Sequence, residues 1–132
     1  MFRGSCLCQA VEYEIQGDLT PVGHCHCSKC RKVSGTASNA VCYASPDHLV
    51  WTKGEDQIKK FAFSDGWSST FCSNCGSPLP QCHPEEPICY VPAGTLDDDP
   101  GSQIMGHIYV GSKASWDIIA DNAPQYEENV TN

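Results

Sequence analysis

Short alternations of apolar and polar residues recur along the chain, separated by glycine, proline and aspartate. Residues 11–15 and 58–63 alternate with a period of two, which is typical of strands that bury one face against a core. The other apolar runs are equally short and are bounded by turn-forming residues. The pattern predicts strands at residues 11–15, 38–43, 49–51, 58–63, 68–71, 88–91 and 104–110.

Helical periodicity is confined to two short segments. Residues 28–33 predict a helical turn that ends before Gly35, and residues 115–121 predict a short helix. Because the sequence has no long amphipathic helix to cover a sheet, we predict an all-β (mainly β) fold of several small sheets with one or two short helical turns. A chain of 132 residues suits one domain. We place this domain at residues 1–124, followed by a polar C-terminal tail at residues 125–132.

The negative net charge of the chain limits the classes of molecule that it can bind. A formal net charge of −8 argues against nucleic acid, since phosphate contacts need clustered lysine and arginine. No apolar run approaches the roughly 20 residues of a membrane span, and no apolar leader precedes the first cysteines. We therefore expect no membrane partner and a cytoplasmic location. Lys29, Arg31 and Lys32 form a local basic patch, which is either a solvated turn or a receptor for the carboxylates of a small anion.

Cysteine spacing is the strongest chemical signal in the chain. In a chain without a secretory leader, clustered cysteines indicate metal binding rather than a disulfide framework. The isolated Cys42, Cys82 and Cys89 are expected to be small buried apolar residues. The clusters are a CxC at Cys6 and Cys8, a CxCxxC at Cys25, Cys27 and Cys30, and a CxxC at Cys72 and Cys75.

The economical partition of these thiols joins the CxC to the CxxC. Those four thiols then form a closed structural site, and the CxCxxC forms a second site with an open fourth position, as catalytic zinc sites have. Spacing leaves other partitions open: His24 or His26 closes the second site, or the CxxC pairs with it. If that segment is extended, both histidines alternate with the cysteines and point away from the metal.

Five motifs together resemble one known family. The motifs are GSCLC, HCHCSKCRK, FCSNCGSPL, AGTLDD at residues 93–98 and HIYVGSKASW at residues 107–116. They resemble the glutathione-dependent formaldehyde-activating enzyme family, which includes the centromere protein V-like domains. The resemblance spans nearly the whole chain, and it departs at Gln9, where the family usually has glycine. It implies a zinc-binding β-tent fold.

The resemblance also implies a chemistry. It implies a carbon–sulfur lyase (S-hydroxymethylglutathione synthase-like) in which a zinc-bound glutathione thiolate adds to, or is released from, an aldehyde such as formaldehyde or another small electrophile. Glutathione is then a co-substrate, and Lys29, Arg31 and Lys32 are candidate contacts for its carboxylates. Two zinc ions per chain are expected: a structural one at Cys6, Cys8, Cys72 and Cys75, and a catalytic one at Cys25, Cys27 and Cys30.

Two alternative functions use the same residues. One is a glutathione-using tailoring or detoxification enzyme that acts on a larger electrophile. The other is a non-catalytic zinc module that binds glutathione or a protein. Family resemblance does not distinguish the three, because one fold hosts many activities.

Overall fold

The structure, a computed structural model, describes residues 1–83 and 85–130. Within that part of the chain, the regular structure consists of short strands, one α-helix and a few 3₁₀ turns, which confirms the predicted mainly β fold of several small sheets. None of the helices among these residues has the length and apolar character needed to cross a membrane. The elements are β1 (Phe2–Ser5), β2 (Glu12–Ile15), β3 (Val22–Cys25), α1 (Ser28–Ser34), β4 (Asn39–Ala44), β5 (Leu49–Lys53), β6 (Ile58–Ala62), β7 (Ser68–Cys72), β8 (Gln81–Cys82), β9 (Cys89–Pro92) and β10 (Ile104–Ile108).

The chain divides into two compact units. The first comprises Met1–Thr20 and Cys42–Gly101, and the second comprises Pro21–Val41 and the chain from Ser102 onward. Strand β4 begins in the second unit and ends in the first. This division does not decide whether the chain works as one domain with a polar tail, so that prediction stays a prediction.

The first unit contains a three-stranded antiparallel sheet, in the order β1-β2-β5, and the β6–β7 hairpin. Strand β2 shows the predicted alternation, because Tyr13 and Ile15 are buried and their neighbours are not. Gly4 pairs with Tyr13 across β1 and β2, and a Cβ at Gly4 would overlap the phenol ring. The Tyr13 hydroxyl hydrogen-bonds the Thr95 hydroxyl at 2.8 Å. This sheet therefore buries its aromatic residue with the polar end satisfied.

The second unit is built around strand β3, which carries the start of the CxCxxC motif. Strand β3 pairs in parallel with β10 and antiparallel with the first half of β4. The register places His24 beside His107 and Cys25 beside Ile108. The chain then turns into helix α1, whose N-cap is Cys27. The motif therefore lies across a strand end and the first turn of a helix.

Backbone hydrogen bonds reach from β10 into the segment predicted as a polar tail. The His107 amide donates to the Pro124 carbonyl, and the Tyr126 amide donates to the His107 carbonyl, both at 2.9 Å. The Tyr109 amide donates to the Glu128 carbonyl at 2.8 Å. The chain is therefore tied to β10 as far as Glu128.

The two helical predictions have different outcomes. Helix α1 confirms the turn predicted at residues 28–33, whereas the helix predicted at residues 115–121 is wrong. In that segment the Asp117 amide donates to the Ala114 carbonyl at 3.1 Å, which forms only a turn. Lys113 Nζ donates to the carbonyls of Ala114 and Asp117 at 3.3 and 2.6 Å. The lysine side chain thus occupies backbone acceptors that a longer helix would use.

All the predicted strands are present within about two residues of their predicted bounds. Strands β1, β3 and β8 were not predicted. They are short and lack apolar alternation, and pairing with their neighbours defines them. Strand identity here depends on the partner rather than on the local pattern.

The structure corrects part of the prediction that the isolated cysteines are small buried apolar residues. Cys82 and Cys89 face each other across β8 and β9 and form a disulfide, so the expectation that they are unpaired apolar residues is wrong. Cys42 is a buried free thiol, as expected. The antiparallel register of β8 and β9 decides this pairing, which sequence spacing did not indicate.

Gln9, directly after the CxC motif, adopts a left-handed backbone conformation with φ of 65°. Its amide donates to the Cys6 carbonyl at 3.0 Å and closes the turn. A residue with a Cβ costs roughly 1–2 kcal/mol in this conformation, because the Cβ crowds the following carbonyl. Glycine has no Cβ and adopts this conformation without that cost. Gln9 is therefore a strained position beside a thiol cluster.

We predict that Gln9→Gly raises the free energy of unfolding by about 1 kcal/mol, because glycine adopts the left-handed conformation without crowding. Urea denaturation followed by tryptophan fluorescence measures the change. Gln103→Gly is the matched control, since Gln103 is exposed and its φ is not left-handed. The control is expected to be neutral or destabilising, and equal stabilisation by both variants would contradict the strain at Gln9.

Candidate metal centres

Four sulfur atoms converge in the first unit, from Cys6, Cys8, Cys72 and Cys75. All four lie within 4.8 Å of one another, with Cys6 and Cys8 3.6 Å apart and Cys8 and Cys72 3.9 Å apart. Sulfurs around a tetrahedral zinc with Zn–S bonds of about 2.3 Å are about 3.8 Å apart. The structure thus brings together the four thiols that spacing grouped, at separations that fit a closed thiolate site.

Two turns bring these cysteines together. Cys6 and Cys8 lie in the turn after β1, and Cys72 is the last residue of β7. Gly76, with φ of 78°, lets the chain fold back so that its amide donates to the Cys72 carbonyl at 2.8 Å. Cys6 and Cys72 also pack with Leu79 in the core of this unit. The cluster therefore joins the N-terminal turn to the middle of the chain.

Several N–H groups point at these sulfur atoms. The Val11 amide lies 3.3 Å from Cys6 Sγ, and the Asn74 amide lies 3.4 Å from Cys72 Sγ. The Asn74 side chain donates to Cys8 Sγ at 3.2 Å. Donors of this kind favour the thiolate, which is the form that binds metal. Sequence reasoning missed Asn74 because only the tertiary structure brings Cys8 to it.

The thiols of this cluster differ in acidity. Hydrogen bonding with the side chain and backbone of Ser77 lowers the pKa of Cys75 to about 5. The Asn74 amide lowers the pKa of Cys8, whereas burial raises the pKa of Cys6 to about 11. Cys8 and Cys75 therefore lose their protons more readily than an ordinary thiol, whereas a nearby cation would favour the thiolate of Cys6.

Three sulfur atoms converge in the second unit, from Cys25, Cys27 and Cys30, again within 4.8 Å of one another. Cys25 ends β3, and the sulfur of Cys27 caps α1 by accepting from the Cys30 amide at 3.4 Å. Among the described residues, no histidine, carboxylate or further cysteine joins this group. The structure therefore supplies three ligands of a tetrahedral site, and the alternative partitions with a histidine or the CxxC do not occur.

A hydrogen bond couples the titration of two of these thiols, Cys25 and Cys30. The hydrogen bond from Cys30 lowers the pKa of Cys25 to about 6. The same hydrogen bond raises the pKa of Cys30. The two thiols therefore titrate as a pair, and a bound cation would displace the proton that the pair retains.

Helix α1 carries the predicted basic patch. Arg31 and Lys32 lie in its last turn, where positive charge stabilises the carboxyl end of a helix. Arg31 is half-buried, and its Nε atom is buried without a hydrogen-bond partner among the described residues. Lys32 is exposed and Lys29 is half-buried. All three cations therefore lie on the helix that Cys27 caps.

The histidines of the CxCxxC segment bond elsewhere. His24 Nδ1 hydrogen-bonds Ser38 Oγ at 2.7 Å, and His26 Nε2 hydrogen-bonds His107 Nδ1 at 2.9 Å. Burial lowers the pKa of both His24 and His26. His107 in turn bonds Asp121. Sequence reasoning did not single out Asp121, because nothing in the local pattern indicates that contact.

The chain is similar to known proteins in sequence and in fold. Residues 1–112 match the model of the family described as glutathione-dependent formaldehyde-activating enzyme. A crystal structure of a Rhodobacter sphaeroides protein superimposes with a TM-score of 0.61 at 23% identity, covering 77% of this chain and 97% of that chain. At this identity the likeness shows the fold alone. No curated protein matches the chain significantly.

The two thiol clusters predict close to two zinc ions per chain by elemental analysis. Cys72→Ser is expected to lose one ion and to unfold at a lower temperature, because binding of a structural metal contributes to folding. Cys42→Ser is the matched control, since Cys42 is also a buried strand thiol but belongs to neither cluster. An unchanged zinc content in Cys72→Ser would contradict the four-thiol site.

Proposed function

The chain belongs to the glutathione-dependent formaldehyde-activating enzyme family, and we propose that it is a zinc-dependent carbon–sulfur lyase of that type. In the proposed reaction, glutathione and a small aldehyde join into an S-hydroxymethyl adduct, and the reverse reaction separates them. The second thiol cluster carries the proposal: Cys25, Cys27 and Cys30 supply three ligands, and the described residues supply no fourth. The thiol of glutathione has the donor chemistry to complete the set.

We assign zinc to both clusters from the chemistry of their donors. Thiolates are soft ligands that favour zinc over magnesium or calcium. The four-thiol cluster fits a closed structural site, and the three-thiol cluster fits a site that takes a ligand from outside. When bound at the second cluster, zinc supplies a Lewis acid that keeps a coordinating thiol deprotonated at neutral pH.

The residues of the second cluster orient the incoming thiol. Cys25 lies at the end of β3, and Cys27 and Cys30 belong to the cap and first turn of α1. These elements are joined directly, so the backbone sets the direction from which a fourth ligand approaches. Three thiolates and a divalent ion give this site a formal charge of about −1, which keeps the sulfur of a fourth ligand nucleophilic.

The basic patch is proposed to bind the carboxylates of glutathione. Lys29, Arg31 and Lys32 follow Cys27 on the same short helix, so their charge lies close in sequence to the thiol cluster. Arg31 offers a planar group that pairs with a carboxylate through two hydrogen bonds. Of the three cations only Arg31 can pair in this way, which favours it as the main contact.

The chemical step is addition of sulfur to a carbonyl carbon. The thiolate electron pair forms the C–S bond, the π pair of the carbonyl moves to oxygen, and that oxygen takes a proton from solvent. In the reverse direction the oxygen loses the proton and the C–S bond breaks. Neither direction of the reaction needs an oxidant or a reductant.

The proposed partners are a small-molecule thiol and an electrophile, since the net charge of −8 disfavours nucleic acid. A cytoplasmic location is proposed because thiol ligands must stay reduced. The Cys82–Cys89 disulfide lies outside both clusters, and the seven cysteines of the clusters are free thiols.

Exchange spectroscopy by NMR on a mixture of glutathione and S-hydroxymethylglutathione tests the proposed activity. The protein is expected to exchange the two faster than they exchange alone, and Cys30→Ser is expected to remove that acceleration because it removes a ligand. Cys42→Ser serves as the control and is expected to keep the activity. A rate equal to that without protein would leave a non-catalytic glutathione-binding module. Acceleration only with bulky electrophiles would indicate the tailoring or detoxification enzyme.

Thiol coordination is tested by comparing glutathione with S-methylglutathione in a calorimetric titration. The methylated derivative cannot supply a thiolate, so we expect it to bind at least about tenfold more weakly, which corresponds to about 1.4 kcal/mol. Equal affinities would exclude coordination by the thiol, even if the protein accelerates the exchange.

The role of Arg31 is tested with Arg31→Met, which keeps much of the side-chain length and removes the charge. We expect the dissociation constant of glutathione to rise about tenfold, as loss of a charge-assisted hydrogen bond predicts, with the zinc content unchanged. Lys53→Met, at an exposed position of the first unit, is the control. A lower melting temperature with an unchanged dissociation constant would show that Arg31 only stabilises the helix.

A further inference from the structure

A series of buried hydrogen bonds accompanies the CxCxxC segment in the second unit. His26 Nε2 lies 2.9 Å from His107 Nδ1, and His107 Nε2 lies 2.9 and 3.1 Å from the two oxygens of Asp121. His26 is 1% exposed and His107 is 4% exposed. We refer to His26, His107 and Asp121 as the histidine chain.

The carboxylate of Asp121 sets the direction of these hydrogen bonds. An ionised carboxylate only accepts, so His107 donates from Nε2. In the neutral ring, His107 Nδ1 is then an acceptor, and His26 donates from its own Nε2. The Ala123 amide donates to a carboxylate oxygen of Asp121 at 3.0 Å. This hydrogen bond and the one from His107 lower the pKa of Asp121. The histidine chain therefore has one consistent arrangement of donors and acceptors.

The backbone holds the same residues in place. The His26 amide donates to the Ile108 carbonyl at 2.9 Å, directly beyond the paired part of β3 and β10. The His107 amide donates to the Pro124 carbonyl at 2.9 Å on the other side of β10. His107 is thus fixed by its own strand, and His26 lies between two of the clustered cysteines, Cys25 and Cys27.

Core filling alone does not explain this arrangement. Burying imidazoles is unfavourable unless their nitrogens are paired, whereas apolar side chains of similar size carry no such penalty. His26 Nδ1 is buried without a hydrogen-bond partner, and the Asp117 carboxylate lies 3.8 Å from it. The unpaired Nδ1 of His26 therefore lowers the stability of the fold. In return, the hydrogen bonds of the histidine chain restrain the ring of His26 and, through it, the backbone between Cys25 and Cys27.

We propose that His107, oriented by Asp121, is a positioning residue for the second thiol cluster. It fixes His26 and thereby keeps the sulfurs of Cys25 and Cys27 converged with that of Cys30. The inference rests on the proposed function, since it describes what holds the three-ligand site in shape to receive the thiol of glutathione. His107 acts through His26.

His24 provides an internal comparison. It precedes Cys25 in the sequence, and its ring stacks on that of His107 with centroids 5.1 Å apart. It hydrogen-bonds Ser38 and takes no part in the histidine chain. Replacing His24 therefore tests whether packing of an aromatic ring beside the cysteines is sufficient.

The test uses protein produced with cobalt(II) in place of zinc and titrated with a chelator while the d–d absorption is recorded. Cys30→Ser identifies which absorption belongs to the second cluster. His107→Phe keeps a ring but cannot hydrogen-bond. His107→Gln presents an amide oxygen to accept from His26 and an amide N–H to donate to Asp121.

His107→Phe is expected to weaken cobalt binding at the second cluster about 10–100-fold, as loss of an outer hydrogen-bond partner does at other metal sites, and to shift its d–d bands. The four-thiol cluster in the first unit is expected to keep wild-type affinity. His107→Gln is expected to restore most of the loss, and His24→Phe to behave like the wild type. Wild-type affinity in His107→Phe, or equal weakening in His24→Phe, would overturn the inference.

If His107→Phe does not fold, Asp121→Ala provides the same test at an exposed position. Unchanged cobalt affinity and an unchanged spectrum in Asp121→Ala would also overturn the inference.

The wild-type protein separates this inference from the proposed function. If the wild type binds the second ion but glutathione leaves its spectrum unchanged, the proposed function fails alone. If the wild type binds a single ion, both fail.

Discussion

The convergence of four sulfur atoms is the constraint on which the first unit depends. Cys6 and Cys8 come from the turn after β1, Cys72 and Cys75 come from the end of β7, and all four sulfurs lie within 4.8 Å. Two of these cysteines also belong to the buried core of the unit, so the same side chains pack and present ligand atoms. Burial and hydrogen bonding shift the pKa values of these thiols in opposite directions. A cation bound here would therefore couple metal binding to folding, because it stabilises every thiolate at once.

The second cluster also consists of sulfur ligands, but it differs from the first in the number of its cysteines and in how deeply they are buried. Its three cysteines are half-buried and lie on a strand end and a helix cap, and no fourth ligand joins them among the described residues. A closed set of four ligands contributes mainly stability, whereas a set of three accepts a ligand from outside. The two clusters lie in separate compact units, and in our proposal only the second one takes a ligand from outside. Beside it, His26 hydrogen-bonds His107 and His107 hydrogen-bonds Asp121, and in our proposal these bonds keep the three sulfurs converged.

The sequence was most informative where the physical signal is local. Period-two alternation identified β2 and β6 as strands, although β6 does not bury the face that the alternation predicted. The CxC and CxxC spacings grouped the thiols that the structure brings together. The predicted helix at residues 115–121 failed because a lysine side chain captures the backbone acceptors there. The Cys82–Cys89 disulfide was missed because only the register of two strands places the residues opposite each other. The left-handed φ of 65° at Gln9 was also missed, because nothing in the local pattern indicates it.

The sequence by itself determined the donor atoms, their grouping by short spacings and the mainly β character of the chain. These properties follow from neighbours a few residues apart, whose geometry the backbone restricts directly. Only the tertiary structure decided that the histidines of the CxCxxC segment do not complete the second cluster. His26 instead meets His107, 81 residues away, and His107 meets Asp121. That contact requires the parallel register of β3 and β10, and a register between distant strands is set by the packing of the whole unit rather than by any local pattern.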